Sequence, residues 1–158
     1  MTFVAGGYTV TAGASPASVG QCLDGIKLDY TQAGQDIIGD NFGKAVQDTV
    51  YQGISEMFLN FTLMEYDATY ALETFWPWDA TFGDQGVVGR LAKTIGGQII
   101  LTAVAGTSAA TLPATWTASE VMLALGFPVE MIFAPEHRVI PIRQRVYLNS
   151  SDVFFTLT

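Results

Sequence analysis

The sequence predicts a mainly β protein with one helix, in which an antiparallel β-sandwich or barrel is flanked by the α-helix. About eight to ten short segments alternate apolar and polar residues between Gly, Pro, Asp and Asn, a pattern typical of strands and turns. One further segment, 67–76, places apolar residues at helical spacing. The chain has 158 residues, of which 49% are apolar, enough for one substantial core. We therefore expect residues 1–158 to form a single domain.

The first predicted element is an N-terminal arm over residues 1–18. Tyr8, Val10 and Ala12 alternate with threonines, and Gly, Ser and Pro residues flank them. A strand that leaves the body of the protein through flexible joints has this composition. An ordinary edge strand has the same pattern, so both interpretations stay open.

A half-buried strand and a long connection follow. Ile26, Leu28 and Tyr30 alternate with charged residues, and the Asp-Gly pair before them suits a tight turn or a bulge. Residues 35–53 contain three glycines, three aspartates and a few apolar residues. This length and composition predict an extended loop or hairpin. Long connections of this kind usually have a function.

The central element is a strand that runs directly into the predicted helix. Odd-numbered apolar residues in the strand 55–63 share one face. The helix Asp67–Trp76 follows, with Asp67 as a suitable N-cap and Pro77 as its end.

The remaining chain is predicted to contain a hairpin, a loop with loose strands, two apolar runs and two last strands, the second of which closes the sheet. In order these are Arg90–Ile95 with Gln98–Val104, then Gly106–Ser119, Val121–Leu125, Val129–Phe133, Val139–Leu148 and Val153–Leu157. In the strand 139–148, Gln144 shares the apolar face, whereas Arg143, Arg145 and Tyr147 share the other.

The charge distribution disfavours nucleic-acid binding. The net charge is −8, and residues 1–84 carry eleven acids against two basic residues. Binding to a phosphate backbone needs clustered Lys and Arg. We therefore expect any DNA that meets this protein to pass it without specific binding.

The sequence contains no group of residues that indicates catalysis or metal binding. His137 is the sole histidine, and it has no nucleophile or orienting partner nearby in the sequence. Cys22 is the sole cysteine, so no His/Cys cluster has metal-ligand spacing. We expect no enzyme activity, no catalytic residue, no metal and no cofactor. The apolar runs are too short for a membrane span, so we also expect no membrane partner.

The apolar content favours burial between copies of the chain. Only 14% of residues are charged, and soluble monomers rarely expose large apolar patches. Head-to-tail contacts between identical copies generate rings when the rotation closes. Our candidate inter-subunit contacts are Tyr8, Val10, Ile37, Ile38, Phe42, Val46, Val50, Arg143 and Arg145.

Four stretches, in this order, resemble the tail tube (major tail) proteins of tailed bacteriophages. They are Val19–Leu28, the loop from Asp40 to Gly53, Phe58–Tyr66 running into the helix, and Val139–Leu148. The resemblance covers most of residues 19–148, apart from 106–119 and 121–133.

The resemblance implies a β-sandwich with a flanking helix and a role as a virion structural protein. It implies hexameric rings that stack into a tube beneath the capsid, with Asp36–Gln52 contacting the adjacent ring and the chain ends acting as arms. Partners would be other copies and other virion tail proteins, in the virion tail assembled in the cytoplasm of the bacterial host. The lumen of such tubes is commonly acidic, and our candidate lumen acids are Asp24, Asp29 and Glu56.

Three alternatives stay open at this point. A head-tail connector, tail terminator or capsid decoration protein also forms rings or clusters from β-rich subunits. The tube protein of a bacterial contractile secretion system has a similar architecture. A carbohydrate-binding β-sandwich module could use Tyr66, Trp76 and Trp78 as a stacking platform.

Overall fold

The described part of the protein is an antiparallel sheet of eight strands. A computed structural model describes residues 8–12, 17–18, 22–39, 43–63, 91, 93, 96–104, 113–128 and 140–158. The strands are β1 (Tyr8–Ala12), β2 (Ala17–Ser18), β3 (Cys22–Ile38), β4 (Val46–Leu63), β5 (Gly97–Ala103), β6 (Thr115–Leu123), β7 (Ile140–Tyr147) and β8 (Thr156–Leu157). The prediction of a mainly β, antiparallel protein is confirmed.

The sheet is open rather than closed into a barrel. Its strand order is β2-β1-β5-β6-β7-β4-β3, and β8 pairs with β6. No pairing among the described strands joins the outer strands β2 and β3, so the predicted sandwich or barrel is not confirmed. The predicted closing strand 153–157 is reduced to β8, which pairs with β6 at Trp116 and Thr117. The predicted helix Asp67–Trp76 lies outside the described residues.

One face of the sheet carries the hydrophobic core. The alternation in β4 and β7 turns every second residue to this face, as the two-residue period of a strand requires. The largest fully buried side chains are Leu59, Leu63, Ile142, Val10 and Val146. Phe155 adds an edge-to-face contact with Trp116, with ring centroids 5.9 Å apart. Burial of such side chains contributes roughly 25 cal/mol per Å² of apolar area.

The middle of the chain contains the strands β5 and β6. The second strand of the predicted hairpin, Gln98–Val104, corresponds to β5 (Gly97–Ala103), whereas most of its first strand, Arg90–Ile95, lies outside the described residues. The segment 106–119, predicted as a loop with loose strands, contributes residues 115–119 to β6, where Trp116 and Ala118 turn toward the core. Residues 106–112 lie outside the described part of the chain.

Strand β1 lies inside the sheet. It pairs with β5 over its whole length and with β2 at Thr11 and Ala12. The hydroxyl of Tyr8 donates to the carbonyl oxygen of Pro113 at 3.0 Å, and the Trp116 indole donates to the same oxygen at 3.1 Å. One carbonyl with two lone pairs thus satisfies both partly buried rings.

Candidate assembly surface

The hairpin of β3 and β4 extends well beyond the rest of the described sheet. These strands have 17 and 18 residues, but β4 pairs with β7 only from Phe58 to Leu63. Beyond that point, residues 31–38 and 46–56 pair only with each other among the described strands. We call this two-stranded part the distal hairpin. At about 3.3 Å per residue it reaches roughly 30 Å from the sheet.

Irregular pairing and glycines shape this hairpin. The Asp-Gly pair at 24–25 forms the bulge that the sequence suggested, with Gly25 at φ 76°. Three further register shifts follow along the distal hairpin, and bulges increase strand twist. Gly34 is required by a close approach, since a Cβ there would lie 2.8 Å from the carbonyl oxygen of Val50.

The distal hairpin exposes apolar side chains on both of its faces. Its large exposed residues include Ile37 (47%) and Tyr51 (70%), together with Ile38, Val46 and Val50. A shallow groove lies on it, lined by Gln32, Tyr51, Gly53 and Ile54. An isolated two-stranded hairpin is marginally stable in water. The distal hairpin therefore combines exposed apolar surface with the low stability of a two-stranded ribbon, and a partner that covered it would stabilise it.

Cross-strand register separates the two faces of the distal hairpin. Ile37 pairs with Asp48 and Val50 lies two residues further on, so these three share one face. We call Ile37, Asp48 and Val50 the Asp48 patch. Asp36 pairs with Thr49 on the opposite face, where the Thr49 hydroxyl donates to its carboxylate at 2.8 Å.

An array of arginines and aromatic rings lies on the sheet face opposite the core. The Arg143 guanidinium lies 4.2 Å from the centre of the Phe58 ring. The Arg145 guanidinium lies 5.9 Å from the Phe58 ring and 5.7 Å from the Tyr147 ring. We call Phe58, Arg143, Arg145 and Tyr147 the arginine platform. Contacts of this kind contribute about 0.5–1 kcal/mol each at exposed sites.

Carboxylates border the arginine platform. Glu56 pairs with Arg145 at 3.6 Å, and Asp29 accepts a hydrogen bond from the Asn60 amide at 2.7 Å. Both partners of the ion pair are partly exposed, so the pair contributes at most about 1 kcal/mol. Within the described ranges, Arg143 has the Phe58 ring as its partner and no carboxylate.

The structure distributes the candidate contact residues over three environments. Ile37, Ile38, Val46 and Val50 lie exposed on the distal hairpin, and Arg143 and Arg145 lie on the arginine platform. Tyr8 is half-buried, and Val10 is 2% exposed inside the chain's own core. Phe42 lies outside the described residues. A contact of any of them with another copy stays a prediction.

The candidate lumen acids do not form a uniformly acidic face. Asp29 and Glu56 lie on the same sheet face as Arg143 and Arg145. Asp29 is in register with Arg145 through Phe58, and Glu56 forms an ion pair with Arg145. Asp24 lies in the bulge of β3, and its side chain is outside the described part. The face that carries two of these acids therefore has mixed charge.

Sequence reasoning did not include Phe58, Asp48 and Tyr51 among the candidate contact residues. The alternation of Arg143, Arg145 and Tyr147 was visible in the sequence. The pairing of Phe58 with Arg145 across β4 and β7 was not, because strand register is a property of the folded sheet.

The described ranges hold no group of three or more His, Cys, Asp and Glu side chains able to bind a metal ion. In the same ranges no helix has the length and apolarity needed to cross a membrane.

No protein-family model matches the sequence, and no curated protein is significantly similar to it. A cryo-EM structure of the anti-feeding prophage cap (AFP tube terminating cap) is similar to this chain with a TM-score of 0.49 and 11% identity, covering 96% of this chain and 87% of that one.

Proposed function

We propose that this protein is a structural subunit of a tubular virion tail, in which identical copies form stacked, hexameric rings around a channel that conducts DNA. The observation that carries the proposal is the distal hairpin, which exposes apolar side chains on both faces. The sequence resemblance to tail tube proteins is the reason why we propose stacked, hexameric rings as the form of the assembly. The role needs no catalysis, metal or cofactor, and we propose none.

Covering the distal hairpin with a second copy solves two physical problems at once. It removes Ile37, Ile38, Val46 and Val50 from water, at roughly 25 cal/mol per Å² of apolar area. It also supports a ribbon that would be marginally stable alone. Strand β3 adds a long edge that has no second neighbour among the described strands, and such edges invite pairing unless another surface protects them.

The charge of the chain suits a channel through which DNA passes. A net charge of −8 repels phosphate groups, and clustered cations would hold them. We propose that Asp24, Asp29 and Glu56 contribute to this repulsion along the lumen. Assembly would take place in the cytoplasm of the bacterial host, with other tail proteins as further partners.

Negative-stain electron microscopy of the concentrated purified protein tests the proposal. Hollow tubes or stacked rings are the expected result. A tail terminator, connector or capsid decoration protein differs in one observable, because its assembly stops at single rings or clusters. Sedimentation showing only a 17.0 kDa particle at every concentration would contradict self-assembly. Glycan binding by that monomer, lost on Trp78→Ala, would favour the carbohydrate-binding alternative instead.

A further inference from the structure

The Arg143 guanidinium is held in place and has hydrogen-bonding capacity left over. It stacks at 4.2 Å on the Phe58 ring, while the neighbouring Arg145 is paired with Glu56 at 3.6 Å. A guanidinium presents five N–H donors in a rigid fork that suits a carboxylate. Within the described residues, no carboxylate fills that place for Arg143.

The Asp48 patch has the complementary chemistry. The Asp48 carboxylate accepts a hydrogen bond from the Thr49 backbone N–H at 2.8 Å, and no cation pairs with it in the part of the chain that the structure describes. Ile37 and Val50, both about half exposed, lie beside it on the same face. The negative charge of Asp48 is complementary to the positive charge of Arg143, and the aliphatic side chains beside Asp48 are complementary to the aromatic ring beneath Arg143.

These two surfaces cannot meet within one molecule. Asp48 lies ten residues before Phe58 in the same strand, so about 30 Å of extended chain separates them. A contact between them must therefore join two copies. A contact between two different surfaces can repeat head-to-tail, and repeated head-to-tail contacts generate rings or open stacks.

We propose that the Asp48 patch of one copy docks on the arginine platform of the next copy. The Arg143 guanidinium donates hydrogen bonds to the Asp48 carboxylate, and Ile37 and Val50 cover the Phe58 ring. The inference rests on the proposed function, since it names the contact through which the copies assemble.

DNA phosphate is the competing occupant of the arginine platform. Asp29 and Glu56 lie on the same face, and their negative charge disfavours a phosphate backbone. The Asp48 patch carries a single negative charge, and its aliphatic side chains can cover the aromatic ring. A second copy of the chain therefore fits this surface better than DNA does.

A charge-reversal experiment tests the contact. The variants are Asp48→Arg, Arg143→Glu, the double variant with both changes, and the control Asp36→Arg, which changes the opposite face of the same hairpin. The readout is the concentration at which half of the protein sediments as assemblies. Circular dichroism checks that each variant is folded. The milder Asp48→Asn replaces Asp48→Arg, and Arg143→Gln replaces Arg143→Glu, where the charge-reversed variant is not folded.

We expect Asp48→Arg and Arg143→Glu each to raise this concentration at least tenfold, which corresponds to about 1.4 kcal/mol. The double variant should return to within about threefold of the unmodified protein, because the pair is restored with reversed charges. Asp36→Arg should shift the concentration by less than about threefold, since Asp36 lies on the face of the hairpin opposite the Asp48 patch.

Three results would overturn the contact while leaving self-assembly intact. The first is equal loss of assembly in Asp36→Arg and Asp48→Arg. The second is no recovery in the double variant. The third is binding of duplex DNA by the unmodified protein that Arg143→Glu abolishes, which would assign the platform to phosphate. Failure of the unmodified protein to assemble would instead refute the proposed function itself.

Discussion

Gln144 provides a stability prediction that follows directly from the core. Its side chain is 6% exposed and lies on the apolar face of β7. Its neighbours in register are Leu59 on β4 and Leu123 on β6, and among the described residues its amide oxygen has no hydrogen-bond partner. A buried acceptor without a partner costs about 1–3 kcal/mol. The substitution Gln144→Met keeps the volume and removes that polar atom.

We expect Gln144→Met to raise the free energy of unfolding by about 1–3 kcal/mol. For a chain of this size the melting temperature should then rise by roughly 2–10 °C. The assay is urea denaturation followed by circular dichroism, below the assembly concentration, with the m-value unchanged. The matched control is Gln35→Met, because Gln35 is exposed on the distal hairpin and surface changes stay within about 0.5 kcal/mol.

An unchanged or lower stability of Gln144→Met would refute this reasoning. It would mean that the amide contributes hydrogen bonds worth as much as its burial costs. A gain of equal size in Gln35→Met would also refute it, because the effect would then come from methionine in general and not from the buried oxygen.

Three further predictions concern the core, the hairpin and the channel. Leu59→Ala, at a fully buried position, should lower the free energy of unfolding by about 2–5 kcal/mol in the same urea assay; a loss below about 1 kcal/mol would contradict a tight core. Gly34→Ala should weaken assembly in sedimentation with little change in core stability, because its Cβ would meet the Val50 carbonyl at 2.8 Å; unaltered assembly would count against the hairpin's role. Reversing the charges of Asp24, Asp29 and Glu56 together should slow DNA delivery while tubes still form, and normal delivery would reject these residues as lumen acids.

The local pattern of the sequence was enough to assign faces within single strands. The alternation in 57–63 and 140–147 correctly placed Leu59 and Ile142 inside, Arg143 outside and Gln144 among apolar neighbours. These assignments succeed because side chains of a strand alternate with a period of two, whatever the strand's partners are. The bulge at Asp24-Gly25 was predictable for a similar reason, since glycine tolerates its positive φ.

Strand partners and strand ends were decided by the tertiary structure alone. Nothing local in β4 indicates that pairing with β7 stops at Phe58 and leaves residues 46–56 as a ribbon. The stacking of Arg143 on Phe58 and the separation of Asp48 from Asp36 also depend on register between distant segments. Composition likewise suggested a loop with loose strands for 106–119, whereas pairing with β5 makes residues 115–118 part of β6. The physical reason is that the two-residue period is a local property of each strand's own sequence. The choice of a strand's partner depends instead on long-range hydrogen bonds and on shared burial across the whole sheet.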